Sequence, residues 1–325
     1  MANGFSFDGA LMNGFRAAHA RTFPWAFAFA YAVICTGLMV AFFFIARGPL
    51  TKFFEAAEAL EGRPTPDDPM AEIGALLGVL SPLTPWVVAA LLISWAIWAM
   101  FETASQRRYI RDEKFTLGFG EDELRMMGTG FFWFLMQAIV FAIPALAGFS
   151  MFAALSEVAN GTMSEQAFES EVLQTVGLVM LSMLILFPLY IFLATRFSPS
   201  FGLTLKDRKV AFFDGWRVSR GRFWPILGAF VIVTFVAGIV SYIVSMMAQV
   251  AMMPALLSSN FITDEVPDIE EFFTPAVFFA IVAYMFVRYF MAGLVMHFSA
   301  GPAAFAARHD PRGGVDDAYR VSNFD

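Results

Sequence analysis

The sequence predicts an all-α fold, a polytopic bundle of six transmembrane helices in three parallel hairpin units with amphipathic interfacial helices on the cytoplasmic side. First, 58 % of the 325 residues are hydrophobic and only 15 % are charged, whereas charged residues reach about 25 % in soluble domains. Second, six apolar runs approach or exceed the roughly 20 residues that a helix needs to cross a bilayer. Third, the basic residues concentrate in alternate connecting segments.

Each apolar run is predicted to form one transmembrane helix. The six helices lie at about 23–46, 83–101, 130–155, 172–195, 223–250 and 275–300. The first run is longer than the apolar core of a signal peptide, which has about 7–15 residues, so we expect it to remain as a signal anchor. We expect residues 1–307 to form a single domain and residues 308–325 to form a cytoplasmic tail.

The distribution of charge predicts the orientation of this bundle. Seventeen of the 21 lysine and arginine residues lie in the N-terminal lead, the second and fourth connections and the C-terminal tail. By the positive-inside rule these segments are cytoplasmic, and both termini are inside. The opposite connections are acidic, and we interpret them as a solvated face, with recruitment of cations or of a basic partner as the alternative.

An internal repeat relates the N-terminal lead to the fourth connection. At a constant offset of 201 residues, Ala10, Asn13, Gly14, Phe15, Arg16, His19 and Arg21 correspond to Ala211, Asp214, Gly215, Trp216, Arg217, Arg220 and Arg222. A weaker middle copy is residues 123–126, before Phe131. Each copy is predicted to be an interfacial helix, at about 5–21, 120–129 and 206–222, followed by a transmembrane hairpin.

The interfacial segments contain the candidate binding residues. Aromatic side chains favour the bilayer interface, and each Lys or Arg near an anionic leaflet contributes about 1 kcal/mol. We therefore predict that anionic phospholipid headgroups contact Arg16, Arg21, Arg217, Arg220, Arg222, Trp216 and Trp224. The alternative is that these residues only fix topology and helix depth.

The last apolar run contains two ionisable residues, Arg288 and His297. An arginine at the bilayer centre costs about 2.5–3.5 kcal/mol on insertion scales, so Arg288 is the candidate intramembrane functional residue. Alternatively, Arg288 lies at the outer interface beside Tyr284 and Tyr289 and reaches the headgroups. His297 lies on the opposite side of the helix, and we interpret it as a hydrogen-bonded packing residue.

No pattern in the sequence predicts a catalytic, cofactor or metal site. The motifs HExxH, GxSxG, GxGxxG and the P-loop are absent, and three histidines with the single Cys35 do not make a usual zinc site. Nucleic acid is not an expected partner, because the basic segments are short and adjacent to the membrane. Pro144, Pro188 and Pro254 are predicted to kink their helices, which leaves a transporter or channel as the alternative function.

Two segments resemble a known family. They are RRYIRDEKFTLGFGEDELRMM (residues 107–127) and LTLKDRKVAFFDGWRVSRGRFWPILGAF (residues 203–230). They resemble an uncharacterised group of six-helix proteobacterial inner-membrane proteins and, more distantly, the membrane domain that accompanies some glycerophosphoryl diester phosphodiesterases. The chemistry of those enzymes belongs to a separate soluble domain with an HRG motif, which this sequence lacks. The resemblance therefore implies a membrane architecture in the bacterial inner membrane and a glycerophospholipid environment, and it gives no catalytic residues to carry over.

Taken together, the sequence predicts a non-enzymatic, multi-pass protein of the bacterial inner membrane. We expect it to bind anionic phospholipid and to act in envelope or lipid organisation or as a subunit of a membrane assembly. Its expected partners are membrane phospholipids and other membrane-protein subunits. The alternative function is transport or channelling of a small amphipathic or anionic solute.

Overall fold

The computed structural model describes residues 5–61, 78, 82–159, 163–257 and 274–313. These residues form helices and no strands, which confirms the predicted all-α class. The helices are α1 (Phe7–Arg16), α2 (Phe23–Ile45), α3 (Arg47–Glu61), α4 (Thr84–Arg111), α5 (Glu121–Val140), α6 (Ala142–Ala159), α7 (Glu165–Phe197), α8 (Ser200–Asp207), α9 (Asp214–Val218), α10 (Phe223–Leu257) and α11 (Pro275–Arg308).

Five helical segments are long and apolar enough to cross a membrane. Four of them are α2, α4, α10 and α11, and the fifth, Gln166–Asp207, covers nearly all of α7 together with α8. Helix α5 and the Ala142–Gly148 part of α6 meet the same criterion only as a pair, bent by 58°. The described residues therefore contain five such segments, or six if the bent pair is one span, as expected for a multi-pass membrane protein.

The third predicted span, 130–155, is not one straight helix. The helical conformation is interrupted at Phe141, between α5 and α6. Pro144 has no N–H to donate to the carbonyl of Val140, and its ring crowds that carbonyl, so the break falls in the turn before the proline. Pro188 and Pro254, by contrast, lie inside continuous helices.

Several other boundaries differ from the predictions. Helix α4 continues ten residues beyond the predicted end at 101, because no glycine or proline stops it before Arg111. The predicted interfacial helix at 120–129 is the beginning of the continuous helix α5. The one predicted at 206–222 is divided between the end of α8 and the short α9, since Arg208 adopts a left-handed conformation (φ 51°) that ends α8.

The chain divides into two compact units, and the single domain expected over residues 1–307 stays a prediction. Unit 1 comprises Met1–Phe42, Ser94–Gly130 and Thr195–Asp325. Unit 2 comprises Phe43–Ile93 and Phe131–Ala194. Within unit 2, the Gln137 amide donates to the Tyr190 hydroxyl at 2.8 Å. Of the predicted tail, residues 314–325 lie outside the described part of the chain.

In unit 1, the short helices pack on the last turns of α11. Residues of α4, α8, α9, α10 and α11 form one apolar cluster, which includes Ile110, Leu203, Val218, Ile226 and Ala304. Phe5 and Ala17, on either side of α1, pack against this cluster, and Ala10 and Gly14 of α1 are both buried. We call α1, α8, α9, the residues of this cluster and the segments that lead from α1 into α2 and from α9 into α10 (residues 17–22 and 219–224) the platform.

Candidate headgroup surface and buried polar core

The residues predicted to bind headgroups divide into an exposed set and an internally bonded set. In the exposed set, Arg21 and Arg220 are exposed, and neither guanidinium is bonded to any residue that the structure describes. Trp224, four residues after Arg220 in the sequence, is 75 % exposed, and Trp216 is 40 % exposed. This set combines cationic and aromatic groups that are accessible to an external ligand.

Three arginines form the internally bonded set. Arg16 pairs with Asp8 at 2.6 Å on the exposed side of α1. Arg222 donates to the carbonyl of His309 at 2.5 Å, and its guanidinium lies 5.1 Å from the ring centroid of Phe5.

Arg217, the third of these, belongs to an ion cluster at α9. Its guanidinium pairs with Asp214 at 2.5 Å, and Lys209 pairs with the same carboxylate at 2.9 Å. Partial burial opposes ionisation of Asp214, but the hydrogen bonds and charges of Lys209 and Arg217 outweigh it and lower the pKa of Asp214. Nearby, Lys206 pairs with the buried carboxylate of Asp310 at 2.7 Å, which fastens the segment after α11 to the platform.

The two strong copies of the repeat share an arginine contact that the sequence did not predict. Arg108 of α4 donates to the carbonyl of Ala18 at 2.8 Å, and Arg196 of α7 donates to the carbonyl of Ser219 at 3.2 Å. The two carbonyls are 201 positions apart, the offset of the repeat. Each guanidinium also lies 5.2 Å from the ring centroid of the phenylalanine that begins the following helix, Phe23 or Phe223.

Arg108 is fully buried and bonds to the end of α1. Besides Ala18, it donates through Nη2 to the carbonyls of Gly14 (2.9 Å) and Ala17 (3.4 Å). These carbonyls have no partner of their own at the C-terminus of a helix, where the helix dipole is negative. The partial charges of α1 thus compensate the buried guanidinium and connect α1 to α4.

The fourth hydrogen bond of Arg108 determines which ring nitrogen of His297 carries the proton. Because arginine keeps its protons, Nη1 donates to Nε2 of His297, so this ring nitrogen is the acceptor. In the neutral ring the proton is then on Nδ1, which donates to Ser105 Oγ at 2.7 Å. Tyr109 stacks on the ring at 5.0 Å and donates to the carbonyl of His297 at 3.0 Å.

This geometry confirms the interpretation of His297 as a hydrogen-bonded packing residue. A nucleophilic serine needs a histidine nitrogen that can accept its proton. Here the accepting nitrogen is bonded to Arg108. The Ser105–His297 pair therefore lacks the arrangement of a nucleophile and its base.

A second polar group is buried on α4. Glu102 is only 6 % exposed, and the side-chain amide of Gln106 donates to its Oε1 at 2.8 Å. Thr103 and Gln106 are fully buried, and among the described residues Thr103 Oγ1 and Gln106 Oε1 have no hydrogen-bond partner. The sequence analysis missed this group because it ended the span at residue 101. The absence of a helix breaker up to Arg111 was the signal that could have revealed it.

Arg288, the candidate intramembrane residue, is exposed on α11. Its Nη1 donates to the Tyr284 hydroxyl at 3.3 Å, and its guanidinium lies 5.9 Å from the centroid of that ring. It makes no ion pair with a carboxylate in the described part of the chain. The structure therefore brings Arg288 to Tyr284, as expected for two residues one turn apart.

Comparison with protein-family models, curated proteins and solved structures finds no match. The resemblance to the inner-membrane family therefore stays a prediction. Among the described residues, no group of three or more His, Cys, Asp or Glu side chains is arranged to hold a metal ion.

Proposed function

We propose that this protein is a non-enzymatic, integral protein of the bacterial inner membrane whose cytoplasmic platform binds anionic phospholipid headgroups. Its role is then in envelope or lipid organisation or as a subunit of a membrane assembly. The observation that supports the proposal is the exposed guanidinium of Arg220, which is unbonded among the described residues and lies four residues before the 75 % exposed Trp224 along the chain.

An exposed arginine and an exposed tryptophan both suit contact with a lipid headgroup on physical grounds. A guanidinium donates two parallel hydrogen bonds to a phosphate, and an indole is stable at the boundary between headgroups and acyl chains. Arg21 supplies a second exposed cation just before α2. An arginine that already pairs with a carboxylate must give up that bond before it binds a phosphate, so unbonded arginines are the better donors.

The internally bonded arginines have a different role in this proposal. Arg217 and Arg222 hold α9 and the segment after α11 in place. Arg16 is in an exposed pair with Asp8, which contributes little to stability and can exchange for a lipid phosphate. We therefore rank Arg21 and Arg220 first, with Trp216 and Trp224 as the aromatic contacts.

The test compares lipid selectivity in nanodiscs that contain equal amounts of phosphatidylglycerol and phosphatidylcholine. Spin-labelled analogues of the two lipids report their relative association constants with the protein. At about 1 kcal/mol for each arginine, the double variant Arg21→Gln/Arg220→Gln should lower the preference for phosphatidylglycerol about 30-fold.

The control removes an exposed charge outside the platform, in the variant Lys52→Gln on α3. This control should keep the preference of the wild type. An equal loss in the double variant and in the control, or no loss in either, would contradict the proposal. The transporter or channel alternative, in which Arg288 binds an anionic solute, stays a prediction.

A further inference from the structure

The buried group on α4 lies in a packed interface within unit 1. Ala99, Thr103, Gln106 and Ile110 share one face of the helix by their spacing, and Glu102 borders it. Ala99 packs against residues of α5 and α8. At Gly202 of α8, an added Cβ would lie 3.3 Å from Gln106 Oε1. Gln106 Oε1 therefore points towards α8, and Thr103 Oγ1 is buried.

Glu102 has no cationic partner among the described residues. The two nearest arginines along the chain are directed elsewhere: Arg107 pairs with Glu123 at 2.9 Å, and Arg108 bonds to α1 and His297. A carboxylate that is buried without a compensating charge is strongly disfavoured, so the site requires a positive occupant.

The neighbouring oxygens indicate what kind of occupant fits. Gln106 uses its amide nitrogen for Glu102, so its Oε1 is left as an acceptor, and Thr103 Oγ1 is a second oxygen without a partner. With the Gln106 amide oriented as in the structure, a proton on Glu102 would neutralise the charge but leave Gln106 Oε1 unbonded. Carboxylate, amide and hydroxyl oxygens are the ligands of hard cations, and divalent ions take more carboxylates than the single one present here.

We propose that Glu102, Thr103 and Gln106 form an internal site for one small monovalent cation of the Na⁺ type. The carboxylate of Glu102 supplies the charge, Gln106 Oε1 and Thr103 Oγ1 supply neutral oxygens, and water completes the coordination. The site is distinct from the headgroup surface, and its failure would leave that proposal unaffected.

The test is thermal unfolding of the protein in nanodiscs at constant ionic strength, while NaCl replaces N-methyl-D-glucamine chloride. Because a ligand that binds only the folded state stabilises it, the Tm of the wild type should rise and saturate with Na⁺. In Glu102→Gln the rise should be lost, and the Tm in N-methyl-D-glucamine should not fall below that of the wild type. Glu169→Gln, which changes an exposed carboxylate of α7, is the matched control and should keep the full rise.

A second variant and a spectroscopic measurement keep the test decisive. Gln106→Met retains the charge and approximate volume but removes one oxygen, so it should raise the Na⁺ concentration at half-saturation about tenfold. Infrared spectra of the wild type and of Glu102→Gln are compared for the band of a protonated carboxyl group. A band that is present in the wild type and missing from Glu102→Gln belongs to protonated Glu102. If that band persists at saturating Na⁺, the occupant is a proton and the proposal is wrong. It is equally wrong if the wild type and Glu102→Gln respond alike, or if the wild type shows no saturable rise.

Discussion

Replacing Arg108 by methionine should detach the end of α1 from unit 1 while the long helices stay folded. Methionine fills much of the volume of the arginine stem but donates no hydrogen bond. The carbonyls of Gly14, Ala17 and Ala18 then lose their donor, as does Nε2 of His297. Helix α1 keeps its other attachments, among them the bond from Asn13 Nδ2 to the carbonyl of Gly301 at 2.8 Å and the stacking of Phe15 on Phe298.

The expected cost follows from these contacts. Breaking a buried, charge-assisted set of bonds costs about 3–5 kcal/mol. Methionine also removes the desolvation penalty of the guanidinium, so we expect the low end, about 3 kcal/mol. A factor of ten corresponds to about 1.4 kcal/mol, and the opening of α1 should therefore become roughly 100-fold more favourable.

Hydrogen–deuterium exchange in nanodiscs measures this opening directly. Amides that bond within α1 should exchange about 100-fold faster, because protection follows the free energy of local opening. Amides in the buried parts of α10 and α11 should exchange as in the wild type. Exchange of α1 that is unchanged would refute the proposed role of Arg108, and exchange that rises equally in all three helices would show that it supports the whole unit.

Arg16→Gln is the matched control for this experiment. It removes an arginine from the same helix, but its pair with Asp8 is exposed on both sides. An exposed pair is screened by solvent, so exchange in α1 should change by about threefold or less.

Two further predictions concern the third copy of the repeat and its neighbour α10. In Gly215→Ala the new Cβ would meet the carbonyl oxygen of Phe197 at 2.7 Å, so the backbone must shift and the free energy of unfolding should fall by about 1–3 kcal/mol. Gly238→Ala, in open space on α10, should raise the free energy of unfolding by up to about 1 kcal/mol. Equal shifts of the two variants in thermal unfolding would contradict the packing argument. Because the pKa of Asp214 is lowered in the folded state, its ion pairs stabilise the protein above its unfolded-state pKa of about 3.9, and this contribution is lost as the pH falls through the lower folded-state pKa. Asp214→Asn should therefore be less stable than the wild type at pH 7 and lose less stability on acidification below about pH 4, and parallel unfolding curves against pH would count against the ion pairs.

The sequence predicted the features that depend on neighbouring residues along the chain. Apolar runs located the beginnings of α2, α10 and α11 to within a residue, because hydropathy is a local property. The amphipathic lead predicted α1, and its recurrence 201 residues later located α9. Proline chemistry indicated a kink at Pro144, although the sequence analysis drew that span as one helix.

The candidate site was less predictable, because charge and aromatic content do not reveal what a side chain faces. Arg21, Arg108, Arg217 and Arg220 read alike as basic residues beside a span. Arg21 and Arg220 are exposed, Arg217 is paired with Asp214, and Arg108 is buried against the C-terminus of α1. The environment of an arginine depends on segments that are distant in the sequence. For Arg108 these segments are some 90 residues away, so the local periodicity of the sequence does not predict its burial.

Glu102 shows the same division between local and long-range information. The absence of a helix breaker after residue 101 makes its helical conformation a property of the sequence. Its burial arises from tertiary packing, because α4 meets α8, where Gly202 allows Gln106 to approach closely. Because isolated charges prefer water, hydropathy predicts that a carboxylate lies outside a span. Glu102 is inside the protein because helices that are distant in the sequence pack around α4.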